Sequence, residues 1–390
     1  MAQHALIAGG GIAGLAAALA CSRAGWRASL FEQAPQFSEI GAGIQLGPNA
    51  TRILQRWGLG PALAEVAAWP GKLVVRSAHD GAQLGALRLG SAFAQRYGAP
   101  YATVHRADLQ GLLLRAARDA GAGLSLSSPA GAVLATTDSV ALRIEGGREV
   151  EGNALLGADG LWSAVRQELL QDGAPVFTGH LAYRALVAQR DLPGSLRSQD
   201  VNVWLGPAMH LVAYPVRRGE QLNVVVLVEG TTSAAAAREW DQPAVAAQLH
   251  RSTGALCDPL QQLLHAVAGW RLWALHERAP AASADEMARG RIALLGDAAH
   301  PMLPYFAQGA GMALEDAAVL EQVLAQPGAD VPAALRRYAQ GRWQRSARVQ
   351  ALSRRNGRIF HAAGLVRRSR DLALRLLGER LLDQPWLYRG

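Results

Sequence analysis

The run Gly9-Gly10-Gly11-Ile12-Ala13-Gly14 constrains this chain more than any other stretch, because of what flanks it. His4–Ala8 before it is a short apolar run, and Ile12–Arg23 after it is rich in Ala and Leu and closed by Gly25. Arg27–Phe31 then reads as a second strand. Strand, glycine turn, helix and strand make a β-α-β start, which implies parallel pairing. The spacing is that of a dinucleotide fingerprint. Gly9 permits the tight turn, Gly11 lets the backbone approach a pyrophosphate, and Gly14 lets the helix pack close to the strand. The helix N-terminus adds free N–H groups and a partial positive charge for the phosphates. Glu32, 18 residues beyond Gly14, can accept hydrogen bonds from a ribose hydroxyl and would repel a 2′-phosphate. The expected dinucleotide is therefore FAD or NAD and not NADP.

Further along, Pro48–Trp57 and Asp108–Ala120 read as helices, the latter with Leu109, Leu112, Leu113 and Ala116 on one face. Strand-like runs follow at Ala132–Thr136, Val140–Ile144 and Ala154–Leu156. From Phe177 to Val228 the texture changes to β-rich runs: Leu181–Val187, Val201–Leu205, His210–Pro215 and Leu222–Val228. They predict an antiparallel sheet inserted into an α/β body. Gln242–Leu264 reads as helical, Arg291–Leu295 as a buried strand, Ala310–Leu324 as a helix, and the chain from Pro332 as almost wholly helical.

Two more motifs follow apolar strands: Gly157-Ala158-Asp159-Gly160-Leu161-Trp162-Ser163-Ala164-Val165-Arg166 and Gly296-Asp297-Ala298-Ala299-His300-Pro301. With the first fingerprint, in this order, they resemble the single-component FAD-dependent aromatic hydroxylases of the para-hydroxybenzoate hydroxylase type. Within that family the chain is most similar to the salicylate, 3-hydroxybenzoate and 6-hydroxynicotinate hydroxylases, over nearly its whole length. The resemblance implies FAD held by Gly9, Gly11, Gly14, Glu32, Arg106, Asp159, Gly296, Asp297, Pro301 and Gly309. Asp159 also suits a cap on the following helix, and His300 is expected to be structural. Gly41-Ala42-Gly43-Ile44-Gln45-Leu46-Gly47 has the wrong spacing for a second fingerprint. One β-α-β unit fits a flavoprotein whose NADH or NADPH visits transiently.

The implied fold is α/β: a Rossmann-like FAD-binding domain (1–75, 100–176 and 270–330), an inserted antiparallel-sheet substrate domain (76–99 and 177–269) and C-terminal helices (331–390). The implied reaction reduces FAD with NAD(P)H, captures O2 as a C4a-hydroperoxide and hydroxylates a small phenolic acid, salicylate or hydroxybenzoate-like. The alternatives are a hydroxynicotinate or other N-heteroaromatic hydroxylase, and a flavoprotein oxidase or reductase that does not hydroxylate.

Strand alternation puts His210, Val212 and Tyr214 on one face. His210 and Tyr214 match positions that face the substrate in the family. A His with a pKa near neutrality can take or relay a phenol proton, and Tyr214 can hydrogen-bond a carboxylate or a hydroxyl. Gln45 and Tyr305 stand where the hydroxynicotinate enzymes have His, which weakens that assignment. Both can recognise a polar substituent, but neither is a good base at pH 7. Arg184 suits a substrate carboxylate, nicotinamide phosphates or the surface.

Composition enters through charge. The 390 residues, half of them hydrophobic, suffice for two or three domains, and the net charge is +8. Residues 336–390 hold 14 arginines against three acids, so the rest of the chain is slightly acidic. A nucleic-acid partner would need a basic stripe with interleaved aromatics, which this tail lacks. The expected partners are a small aromatic substrate and O2, with no nucleic acid, no membrane and no metal, in a cytoplasmic monomer or homodimer. Cys21 and Cys257 lie far apart, and Cys21 reads as a buried thiol.

Overall fold

The computed structural model describes residues 2–37, 42–144, 146–232, 242–326, 328 and 330–389. Gly41, which opens the second glycine-rich segment, lies outside them. The chain divides into two compact units: Met1–Glu39, Leu109–Val176 and Glu277–Ser353, and Ile40–Asp108, Phe177–His276 and Arg354–Gly390.

The first unit is built on a six-stranded sheet in the order Ala288–Arg289, Ile292–Leu294, Ala154–Gly157, His4–Ala8, Arg27–Phe31, Gly123–Ser125. All neighbours pair parallel except the first two. His4–Ala8 has no polar alternation after His4 because Ala5 to Ala8 are buried on both faces, as a central parallel strand requires. Helix Ile12–Arg23 is buried from Gly14 to Cys21 and packs against helix Gly309–Leu324. The Trp26 indole N–H donates to the Leu324 carbonyl at 3.2 Å. Cys21 is the buried thiol expected, and burial pushes its pKa up to about 12. Ala130–Ala135, Val140–Ile144 and Glu149–Gly152 form a separate antiparallel sheet.

The second unit carries an eight-stranded sheet in the order Gln242–Ala244, Trp270–Glu277, Val176–Ala188, Gln221–Glu229, Met209–Val216, Val201–Gly206, Lys72–Ser77, Gln83–Arg88. Val201–Gly206 and Lys72–Ser77 pair parallel; the neighbouring pairs Met209–Val216/Gln221–Glu229 and Val201–Gly206/Met209–Val216 are antiparallel. Period-2 alternation divides its side chains. Leu181, Tyr183, Met209, Leu211, Ala213, Val224 and Val226 join the core with Leu260, Leu263 and Leu264 of helix Asp258–Ala266. His180, Arg184, His210, Val212, Tyr214 and Asn223 fall on the opposite face.

Three expectations are corrected. Gln242–Leu264 is not one helix: Gln242–Ala244 pairs with Trp270–Leu272, and helices Ala246–Thr253 and Asp258–Ala266 follow. Gly254 at φ +65° and Pro259 separate the two helices. Contacts also group residues from Ile40 to Asp108 with the larger sheet, because Gly43–Leu46 pairs with Ala102–His105 and Lys72–Ser77 pairs into that sheet. Lastly, the C-terminal helices are not a separate body: helix Val331–Phe360 belongs to the first unit through Ser353 and to the second from Arg354.

Candidate cofactor and substrate sites

In the first unit the glycine loop has the properties its spacing predicts. Gly9 has φ +98°, and a Cβ there would lie 2.5 Å from the Ala158 carbonyl oxygen. A Cβ on Gly14 would collide with the Gly9 carbonyl oxygen. Gly11 differs: a Cβ there would meet nothing within 4 Å. It is the N-cap of helix Ile12–Arg23, which has no side-chain cap and no acid in its first turn. The helix thus presents uncompensated N–H groups to open space beside Gly11, a setting that fits a pyrophosphate. Glu32 lies against this loop, with Oε2 accepting from the Gly10 N–H at 2.5 Å and Oε1 from the Ala34 N–H at 2.7 Å.

The other cofactor motifs belong to the same unit. Gly296 has φ +58°, and Asp297 is exposed on the turn Gly296–Ala298. A Cβ on Gly309 would lie 4.0 Å from Asp297 Oδ1, so this carboxylate sits at the start of helix Gly309–Leu324. That helix also lacks a side-chain cap. Two uncapped helix starts and an exposed carboxylate match the phosphate, ring and ribityl needs of FAD. Asp159 caps the helix Ala164–Leu170, accepting from the Ala164 and Val165 N–H groups at 2.7 and 3.1 Å and from the Ser163 hydroxyl. Burial pushes the Asp159 pKa up. Arg106 opens helix Arg106–Asp119 and falls in the second unit, unlike the other expected FAD residues.

His300 is structural. Its Nε2 lies 2.6 Å from Asp316 Oδ2, which also accepts from the Gly296 N–H at 2.9 Å. Asp316 Oδ1 accepts from Arg342 Nε at 2.7 Å, and Arg342 also meets Glu315 at 2.6 Å, which Arg345 meets in turn. Burial works against the Asp316 charge, but His300 and Arg342 hold its carboxyl below its ordinary range. Gln350 donates to the Pro301 carbonyl at 2.9 Å, and Ser353 to that of Leu303. Sequence reasoning missed these supports. Arg342, Ser346, Gln350 and Ser353 make a polar stripe at helical spacing, and all four are buried. Such a stripe reads as a solvated face unless its partner is known.

In the second unit the strand Gly43–Leu46, which carries Gln45, packs against Tyr214 at Gly43. A Cβ on Gly43 would lie 2.5 Å from the Tyr214 ring and 2.8 Å from Asn223 Cγ, and the Gly43 N–H donates to Asn223 Oδ1 at 2.7 Å. Gly43→Ala should therefore cost about 1–3 kcal/mol of stability by overpacking, read as a lowered denaturation midpoint. An unchanged midpoint would show that the strand Gly43–Leu46 shifts freely. Tyr101 donates to Gln45 Oε1 at 2.7 Å, which fixes that oxygen as acceptor and leaves the amide NH2 as donor. Burial raises the pKa values of both Tyr101 and Tyr214, so each keeps its proton at pH 7. The Arg184 guanidinium stacks 3.4 Å over the Trp273 ring, a held and not a loose surface arginine.

The neutral-range pKa expected for His210 is corrected. His210 is 1 % exposed, and burial first, then His361 and His180, push its pKa well below 6.5. It is an uncharged acceptor at pH 7. Tyr305, on the turn Pro304–Phe306, is buried in the first unit, so the structure groups it with the Gly-Asp loop and not with Gln45, His210 and Tyr214.

Residues 2–353 match the FAD binding domain family. The 3-hydroxybenzoate 6-hydroxylase of Polaromonas naphthalenivorans (strain CJ2) is 41 % identical over 98 % of this chain and 95 % of its own length. This chain belongs to the FAD-dependent aromatic-ring monooxygenases. Solved members share its fold. A salicylate hydroxylase in complex with substrate matches with TM-score 0.83 and 28 % identity, covering 100 % of this chain and 96 % of its own. HpxO of Klebsiella pneumoniae, complexed with FAD and uric acid, matches with TM-score 0.86 and 25 % identity over 97 % and 94 %. The monooxygenase thus uses FAD as cofactor, NAD(P)H as electron donor and a small aromatic substrate. No helix among the described residues is long and apolar enough to cross a membrane.

Proposed function

We propose that this monooxygenase hydroxylates a hydroxybenzoate, with 3-hydroxybenzoate the first candidate. The observation that carries this reading is one sheet face with an uncharged His210 and a protonated Tyr214, beside an amide NH2 of Gln45. An acceptor and two donors suit a ring bearing one phenol and one carboxylate. His210 takes the phenol proton, which makes the ring more electron-rich. Tyr214 and Gln45 donate to the carboxylate without gaining charge. FAD, when bound, supplies electron transfer from NAD(P)H and the activation of O2. Gly9, Gly11 and Gly14 admit its pyrophosphate, Glu32 its ribose and Asp297 its ribityl chain, while Asp159, Gly296, Pro301 and Gly309 complete the cradle. The first unit then serves as the cofactor domain and the second as the substrate domain. The exposed arginines of 336–390 draw in anionic reactants and not nucleic acid. The protein works in the cytoplasm as a monomer or homodimer, without a membrane or metal.

A panel of hydroxybenzoates, salicylate and 6-hydroxynicotinate tests the assignment by identifying oxygenated product and free peroxide. The expected result is coupled turnover of 3-hydroxybenzoate. Preferred turnover of 6-hydroxynicotinate would overturn it in favour of an N-heteroaromatic substrate. His210→Ala should slow ring hydroxylation roughly 100-fold while leaving flavin reduction near wild type, with more uncoupled peroxide. Equal hydroxylation rates in variant and wild type would make His210 structural.

A further inference from the structure

The second unit holds a histidine cluster that the sequence motifs do not touch. His361 follows helix Val331–Phe360, and its Nε2 lies 2.9 Å from His210 Nδ1. Its Nδ1 lies 3.5 Å from Glu229 Oε1. The three elements are also tied through their backbones. The Ala208 N–H donates to the His361 carbonyl at 2.9 Å, and the Glu229 N–H to the Ala208 carbonyl at 3.0 Å. Phe360 meets the His210 ring edge-on at 5.3 Å, and Arg370 donates to the Ile359 and Phe360 carbonyls at 3.0 and 2.7 Å. His210 and the His361 side chain are each 1 % exposed, whereas Glu229 is 53 % exposed. A line of titratable groups therefore runs from a buried face to solvent.

We propose that His210, His361 and Glu229 form a proton relay that carries the phenol proton of the substrate out to solvent. The proposal rests on the reading of His210 as the phenol's proton acceptor. His361 and Glu229 act through His210 and are positioning residues. The O–H bond of the phenol breaks as His210 Nε2 gains a proton. His210 Nδ1 releases its own to His361 Nε2 across 2.9 Å, and His361 Nδ1, 3.5 Å from Glu229 Oε1, must close to hydrogen-bond distance to release one to that carboxylate, which gives it to water. Each imidazole ends in its other neutral tautomer, and no imidazolium forms.

That last point answers a difficulty in the site. Burial, with His180 and Arg370, pushes His361 down to about 3, and His210 is also held low, so neither can store a proton at pH 7. A base that cannot charge still removes a proton if it passes one on in the same step. The charged and titratable neighbours of the pair are His180 from Val176–Ala188, Glu229 from Gln221–Glu229 and Arg370 from helix Gly364–Leu377. Of these Glu229 is the most exposed and the only carboxylate, which makes it the outlet to solvent. His180, Glu229 and His361 also have the composition of a metal site. Their ligand atoms lie within 4.8 Å of one another, but the His180 and His361 rings stack 5.1 Å apart at 16° and His361 Nε2 already meets His210 Nδ1.

The test compares two substrates: 3-hydroxybenzoate, and a nitro-substituted analogue whose phenol is already ionised at the assay pH. Single-turnover hydroxylation and the ratio of product to peroxide are read for wild type, His210→Ala, His361→Gln and Glu229→Gln. The relay predicts that His361→Gln and Glu229→Gln slow hydroxylation of the un-ionised phenol by roughly tenfold to a hundredfold, and that of the ionised one by about twofold or less. Equal losses on both substrates would assign His361 and Glu229 a structural role and overturn the relay. If His210→Ala itself loses equally on both, the reading of His210 as acceptor fails instead. If His210→Ala discriminates and the other two match wild type, His210 stands and the relay falls. Glu229 is exposed, so Glu229→Gln carries the test should His361→Gln fold poorly.

Discussion

Gly11→Glu should give a folded protein that purifies without flavin. Position 11 has φ −71° and ψ −173°, a backbone conformation open to any residue, and an added Cβ meets nothing within 4 Å. The fold therefore has no steric reason to object. A carboxylate at the N-cap of helix Ile12–Arg23 faces unpaired N–H groups and the positive end of the helix dipole, which favours the apoprotein by about 0.3–1 kcal/mol. The same carboxylate would stand where we propose that the pyrophosphate binds. Two like charges about 4 Å apart near a protein surface repel by about 4 kcal/mol, or roughly a thousandfold in affinity. Flavin absorbance per protein and the thermal midpoints of the two apoproteins separate the effects. Stoichiometric flavin in the variant would place the pyrophosphate elsewhere. A collapsed midpoint would mean that Gly11 is needed by the fold and not by the cofactor.

Arg342→Met should be the most destabilising single change in the first unit, at about 3–5 kcal/mol. The long aliphatic replacement keeps much of the volume, but Asp316 and Glu315 remain buried with less compensating charge. Asp316 also holds the Gly296 N–H and His300, so the damage should reach the flavin loop as weaker FAD binding. The pH dependence has a definite sign. The folded Asp316 carboxyl lies below its ordinary 3.8, so the stability it contributes is complete above about pH 4 and fades as pH falls through the folded value. The gap between wild type and variant in denaturant unfolding should therefore narrow in acid. A gap under 1 kcal/mol at pH 7 would mean that water or Arg345 already neutralises the pair.

What the sequence made legible was local. The glycine loop, Glu32 and the Gly-Asp turn are fixed by spacings within about 25 residues, and each spacing has one steric or electrostatic meaning. The placement of His210 and Tyr214 on one face needed only the period of a strand. The electrical state of His210 was not legible, because it is set by His361, 151 residues away, and by burial that no local pattern reports. The arginine-rich C-terminal helices looked like a solvated basic face. Yet Arg342 and Arg370 are buried, and Gln350 and Ser353 pin the loop at Pro301 to Leu303. A charged stripe on a helix reads the same whether it faces water or a buried carboxylate. The short strand Gln242–Ala244 was hidden in a helical-looking stretch for a similar reason, since among the described residues it pairs with Trp270–Leu272, a partner distant in sequence.

The two cysteines give the molecule an internal clock. Cys21 and Cys257 are both buried, and they belong to different compact units. A thiol that cannot be reached does not react, so alkylation at either site waits for its own surroundings to open. The rates at which the two sites take up label, followed by peptide mass, report separately how often the two compact units of this monooxygenase breathe. No reporter group needs to be introduced, and any flavin or aromatic ligand that closes one part will slow one clock and not the other.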